Sequence, residues 1–200
     1  MKETVFKEPI LLASSSPRRI EMLENLGFSM IVSPRDCDES HFDHLPIKER
    51  VMALAELKVM ESAKTNISNV RYALGADTLV SIDGKAYGKA ADRRQAEEMI
   101  KLLSGKAHTV STGVAVLDMH KGKLIKSVNE TTVWFKSMSK QEIDFYLSKN
   151  EWFGAAGAYK IQELASFFVE KIEGSFSCIV GLPIHTFYDI LLQIGYPFPY

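Results

Sequence analysis

Cysteine is scarce in this 200-residue chain: Cys37 and Cys178 stand far apart, with no C-x-x-C pair. A disulfide framework and a thiolate zinc or redox centre are therefore excluded, and both thiols are expected to be unpaired in a reducing compartment. Charge of one sign is also missing, since 24 Lys plus Arg face 25 Asp plus Glu for a net charge of −1. A general nucleic-acid coat needs a basic excess to displace counterions, so no nucleic-acid partner is expected. Any anionic ligand must instead meet a local cluster of cations. Long apolar runs are absent as well. The candidate over residues 5–13 is broken by Lys7, Glu8 and Pro9, well short of the roughly 18 residues of a membrane span. Met1-Lys2-Glu3-Thr4 lacks a signal-peptide hydrophobic region, so the expectation is a cytoplasmic protein with no membrane partner. What is present, 46% hydrophobic and 24% charged residues, is ordinary globular composition and suits a single domain over residues 1–200.

Apolar periodicity alternates short strands with longer helices. Residues 9–13 read as a buried strand, 17–26 as a helix stopped by Gly27, and 28–32 as a second strand. Val51, Leu54, Ala55, Lys58 and Val59 fall on one face of a long helix over 47–63. Residues 72–81 form a strand leading into the hairpin signal Asp83-Gly84. Asp92 caps a helix carrying Ala96, Met99, Ile100 and Leu103. Strands over 110–119 and 123–135 flank a Lys121-Gly122 turn, and Ser139 with Glu142 forms a capping box for a helix over 139–147. Residues 167–172 read as a strand and 183–192 as a closing helix with Pro183 in its first position. Interleaved strands and helices plus at least two hairpins predict an α/β domain with a mixed sheet. The aromatic stretch from Ile194 to Tyr200 is expected to pack on its own domain.

Several motifs fail on inspection. Gly84-Lys85-Ala86-Tyr87-Gly88-Lys89-Ala90 has one residue too few between its glycines, and no Ser or Thr after the lysine, for a Walker loop. There is no G-x-G-x-x-G, G-x-S-x-G or H-E-x-x-H. His41 and His44 sit three apart in an acidic stretch with no C-x-x-C nearby and no helix assigned there, and read as a solvated loop.

Ser14-Ser15-Ser16-Pro17-Arg18-Arg19 follows a buried strand and opens a helix. Ser16 is placed as N-cap, Pro17 as the first helical residue. Arg18 and Arg19 then occupy the first turn, where each cation costs a few tenths to about 1 kcal/mol against the macrodipole. An anion docked there would account for both, with amides, hydroxyls and guanidinium forks converging on its oxygens. Outward pairing with a carboxylate such as Glu21 is the alternative. Lys58 lies on an apolar helix face, from which it either snorkels to solvent or directs a charge at phosphate. Asp77 lies inside the apolar strand and needs either a turn hydrogen bond or a function to account for its burial.

The segment from Leu12 to Arg19, continuing into Glu21-Met22-Leu23 and Gly27, resembles the opening signature of the Maf family of nucleoside triphosphate pyrophosphatases. Further segments resemble the family in order: Cys37-Asp38-Glu39, Leu54-Ala55-Glu56-Leu57-Lys58, Gly75-Ala76-Asp77-Thr78, Gly88-Lys89, Ser104-Gly105 with His108, Val110 and Thr112, Ala156 to Gln162, Gly174-Ser175 and Gly181-Leu182-Pro183. Departures are Val59 for an alanine, Ala90 for a proline and Lys160 for a glycine. The resemblance implies an elongated, twisted mixed sheet flanked by helices, as two lobes around a nucleotide cleft. It implies hydrolysis of a nucleoside triphosphate to monophosphate and pyrophosphate, through water attack at the α-phosphorus. In that reading Ser14, Ser16, Arg18, Arg19, Lys58 and Lys89 hold the triphosphate. Asp77 is general base or metal ligand, and Glu39 is the second carboxylate for Mg²⁺ or Mn²⁺, the cations that all-oxygen ligation suits. Arg18, Thr78 and Gln162 match the dTTP/UTP subtype. The Gln162 amide complements the N3–H and O4 of thymine or uracil, although a flipped amide would suit cytosine equally. Lys160 and Glu163 both stand where the family often has glycine, and they either narrow the base pocket or form a surface ion pair, the favoured reading. The implied role is removal of excess or non-canonical nucleotides, and a homodimer is compatible with the resemblance. Two rivals stand beside it: a pyrophosphatase for modified nucleotides such as 7-methyl-GTP, and a nucleotide-binding regulator of cell division or septum formation.

Overall fold

The computed structural model describes residues 4–65, 67 and 69–200. In chain order its elements are β1 (Phe6–Leu12), α1 (Pro17–Leu26), β2 (Phe28–Val32), α2 (Ile47–Ala63), β3 (Tyr72–Ile82), β4 (Lys85–Tyr87) and α3 (Arg93–Leu103). They continue as β5 (Ala107–Asp118), β6 (Lys123–Phe135), α4 (Lys140–Ser148), β7 (Val169–Glu173), α5 (Phe176–Val180) and α6 (Ile184–Ile194). The sheet is mixed, in the order β2-β1-β3-β5-β6-β7, with β4 paired to β3. The chain divides into two compact units, the first being Met1–Asp77, Thr112–Asn129 and Gly181–Tyr200, and the second Thr78–Ser111 and Glu130–Val180.

In the first unit β1 is fully buried at Ile10, Leu11 and Leu12, as a central parallel strand covered on both faces must be. It pairs in parallel with β2 through Ile10 and Met30, and with β3 through Leu11 and Ala73. The chain therefore leaves β1 toward β2, then crosses back to β3 on the other side. Leu23 of α1 joins Ile10, Leu12 and Leu74 on one face of the sheet. Ala55 and Val59 of α2 join Leu11 and Ala73 on the other. This reversal of strand order between β1 and β3 is a topological switch point, where open α/β sheets place ligands beyond the carboxyl ends of the strands.

The C-terminal aromatics pack on this same unit. Tyr196 is buried, its hydroxyl donates to the Glu8 carbonyl at 2.7 Å, and Phe198 meets the rings of Phe6 and Tyr188. The expectation that this stretch folds back on its own domain is thus met. Neither Cys37 nor Cys178 is in a disulfide. Among the described residues no helix is long and apolar enough to cross a membrane.

In the second unit, the Asp83-Gly84 turn joins β3 to β4 in antiparallel register, Val80 opposite Tyr87. Asp92 caps α3 by accepting from the Gln95 amide, and Ser139 and Glu142 form the full capping box on α4. Some boundaries differ from the sequence reading. Residues 164–168 form a 3₁₀ turn, so β7 begins only at Val169. The Glu151 carboxylate holds the Leu164 amide and the Ser166 amide returns to the Glu163 carbonyl, which bends an apolar run that otherwise resembles a strand. Pro183 is the N-cap of α6 and not its first residue, because its backbone is still extended and its carbonyl accepts from the Phe187 amide. The strand expected over 110–119 runs instead from Ala107 to Asp118.

Candidate active site

Alternation along β3 puts Ala73, Gly75 and Asp77 on the face that α2 covers. A Cβ on Gly75 would lie 2.2 Å from the Ala55 carbonyl oxygen, and one on Gly113 of β5 would lie 2.3 Å from that of Val51. Only glycine at these two positions lets the backbone of α2 rest directly on the strands. Lys58 lies one turn beyond Ala55 and Asp77 two residues beyond Gly75, so the close approach delivers ammonium to carboxylate. Lys58 Nζ lies 2.5 Å from Asp77 Oδ1 and 3.0 Å from Glu39 Oε1. Glu39 arrives from the loop after β2, just ahead of the 3₁₀ turn Ser40–Phe42. Burial alone would lower the Lys58 pKa, but the charges and hydrogen bonds of Asp77 and Glu39 outweigh it and the net shift is upward. Lys58 is therefore a cation at neutral pH, and it turns inward where the snorkelling alternative would send it to solvent.

The Ser14–Arg19 loop leaves the carboxyl end of β1 at the same switch point. Pro17 opens α1, and its first turn contains no acidic residue. Ser16 is the N-cap by position, with extended backbone but no side-chain cap; its amide donates instead to Ser14 Oγ at 3.2 Å. Arg19 does not turn outward to Glu21. Its Nη1 donates to Ser14 Oγ at 3.1 Å and its Nε to the Gly181 carbonyl at 2.7 Å. Burial pushes the Arg19 guanidinium down to about 10, with Asp77 pulling it back up and Arg18 adding to the fall; it stays charged at pH 7. Ser14, Arg19, Lys58, Asp77 and Glu39 thus form one polar group in the first unit. The Gly181 carbonyl is the member that sequence reasoning passed over. The Gly-Leu-Pro triplet was legible as a pattern, but nothing local marks its carbonyl as the anchor of an arginine 162 residues away. His41 has Asp38 as its partner at 3.2 Å.

Thr78, Lys89 and Gln162 belong to the second unit. Thr78 is half-buried on β3, whereas Lys89 and Gln162 are exposed. Lys89 forms an isolated bridge with Ala156, and the Gly157 amide donates to the Gly88 carbonyl at 3.0 Å, which fixes the backbone around Lys89 despite Ala90. The segment bearing Gln162 is held from below. Tyr146 donates to the Ala158 carbonyl at 3.1 Å, and Tyr159 OH meets His108 Nε2 at 2.9 Å. Burial drives the His108 imidazole down to about 4. Lys160 and Glu163 approach to 3.6 Å, the ion pair expected of them.

The oxygens of Asp77 and Glu39 converge on one cation, Lys58 Nζ. Among the described residues no set of three or more His, Cys, Asp or Glu side chains gathers for a metal. Two carboxylates with no nitrogen or sulfur ligand fit a hard divalent cation such as Mg²⁺ or Mn²⁺.

Residues 9–194 match a family model described as Maf-like protein. A dTTP/UTP pyrophosphatase of Clostridium acetobutylicum is 42% identical over 198 residues, covering 93% of this chain and 98% of its own. One from Thermosipho africanus is 43% identical over 186 residues, covering 93% of each. Among solved structures, a nucleoside-triphosphatase / dITP/XTP pyrophosphatase from Mycobacterium abscessus overlaps 65% of this chain and 75% of its own, at 12% identity and a TM-score of 0.42.

Proposed function

The chain belongs to the Maf family, and from that premise we propose that it is a cytoplasmic nucleoside triphosphate pyrophosphatase, hydrolysing dTTP and UTP to the monophosphate plus pyrophosphate. The observation that carries this reading is the meeting of Lys58, Asp77 and Glu39 beside Arg19, with Arg19 and Glu39 following the carboxyl ends of β1 and β2 and Asp77 midway along β3. A triphosphate needs its charge neutralised, and a water must be oriented in line with the leaving group. Arg19, anchored by Gly181 and Ser14, offers a guanidinium fork whose direction is fixed before substrate arrives. Arg18, Ser16 and the first-turn amides of α1 complete the phosphate cradle, and Lys89 adds a point charge. Asp77 accepts the proton of the attacking water. Glu39 and Asp77 would hold Mg²⁺ or Mn²⁺, which supplies Lewis-acid neutralisation of the phosphate oxygens. Thr78 and Gln162 are assigned to the base, the glutamine by its paired donor and acceptor. The whole chain is proposed to act as one domain, with a homodimer compatible with it.

The test is product analysis after incubating the protein and Mg²⁺ with dTTP, UTP, CTP and 7-methyl-GTP. Monophosphate and pyrophosphate from dTTP and UTP is the expected result. Diphosphate and orthophosphate would place the attack at the γ-phosphorus, and a preference for 7-methyl-GTP would overturn the substrate assignment.

A further inference from the structure

Lys58 sits in an unusual place for a phosphate-binding lysine. Its Nζ lies between the two carboxylates proposed for the divalent cation, 2.5 Å from Asp77 Oδ1 and 3.0 Å from Glu39 Oε1. Without a cation, two carboxylates turned toward one point would repel each other, and that repulsion grows as solvent is removed. Asp77 is 9% exposed, so water gives it little screening. Glu39 sits on a loop with its side chain 45% exposed, whereas Asp77 is set in a strand.

We propose that Lys58 is a positioning residue that occupies the divalent-cation position before the cation arrives. It gathers Glu39 against Asp77, and it must leave when Mg²⁺ or Mn²⁺ binds. This rests on the metal reading above and deepens it, because it makes the ammonium and the divalent ion mutually exclusive on the same oxygens. A direct contact at these distances leaves no room for a second cation between the three groups, since Mg²⁺ binds oxygen at about 2.1 Å and keeps ordered waters around it. The triphosphate then gives the displaced ammonium a new anionic partner. Nucleotide and divalent ion should accordingly bind with positive coupling: each is favoured by what the other does to Lys58.

The experiment titrates Mn²⁺ alone, without nucleotide, into the full-length protein and follows free Mn²⁺ by electron paramagnetic resonance. Lys58→Met removes the competitor and keeps the aliphatic stem, so it should bind Mn²⁺ at least about tenfold tighter than the parent chain. Lys64→Met removes a charge of the same unit whose partner is Glu61, and should tighten binding by less than about threefold. Equal gains in the two variants would reduce the effect to a general field and overturn direct occupancy, as would unchanged or weaker binding in Lys58→Met. Adding Glu39→Gln to Lys58→Met should reverse most of the gain. If it does not, the divalent ion sits elsewhere, and it is the metal assignment of the proposed function that fails. Thermal melts of each variant establish that the folded protein is being titrated.

Discussion

In the proposed reaction a single side chain, Asp77, bears most of the chemistry, and its setting gives a sharp expectation. Asp77→Asn keeps the shape and the hydrogen-bond reach toward Lys58 but cannot accept a proton. The kcat for dTTP should fall by ~10²–10⁴-fold, the usual worth of a positioned general base, while nucleotide affinity by calorimetry changes by less than about threefold. An unchanged kcat would remove Asp77 from the proton transfer. His108 gives a second residue-scale expectation. Its pKa in the folded protein, about 4, lies below the 6.5 of a free imidazole. The unfolded chain therefore takes up a proton between pH 6.5 and 4 that the folded chain refuses. Stability is complete above that window and declines as pH falls through it, by at most about 3 kcal/mol at 1.36 kcal/mol per unit. Urea midpoints measured across the window should show the decline in the parent protein, and His108→Phe should flatten it. Below pH 4, further loss is expected as Asp118 and Glu142 protonate, both being held down to about 2 first by their hydrogen bonds to Arg71 and Lys136.

Among the elements, α2 shows how a helix can be aimed. Gly75 and Gly113 seat it at two points, but only Gly75 lies against the turn next to Lys58, touching Ala55 and Val59. Either change to alanine should lower stability by about 1–3 kcal/mol, since an extra methyl must displace backbone. Only Gly75→Ala should also depress kcat at a temperature where both variants remain folded, because it alone shifts the lysine from the carboxylate. Ser139→Ala removes the α4 cap, far along the chain from these residues. It should cost about 1 kcal/mol in urea denaturation with no change in kcat. The α2 span and the α4 capping box were both legible in sequence, because periodicity and cap chemistry are local. The 3₁₀ turn at Leu164–Phe168 and the short α5 were not. The former depends on the Glu151 carboxylate, thirteen residues earlier, which no periodicity records. The same limit applied to the site. Lys58 and Asp77 each stood out as charges in apolar company, yet their mutual contact and that of Glu39 arise only when α2 settles on β3.

For the molecule as a whole, β3, β5 and β6 each pass through both compact units without a break in the strand. Calorimetric and van't Hoff enthalpies of unfolding should therefore agree, as for one cooperative domain; two resolved transitions would contradict the single-domain proposal. The Arg19 to Gly181 hydrogen bond has its own consequence for how the protein comes into being. Its two ends are 162 residues apart, so a ribosome makes the arginine early and the carbonyl that aims it nearly last. Through most of translation the emerging polypeptide has Ser14 but lacks the second of the two groups that steer this guanidinium. On the proposed function, a message cut short before codon 181 should yield a product unable to consume triphosphates.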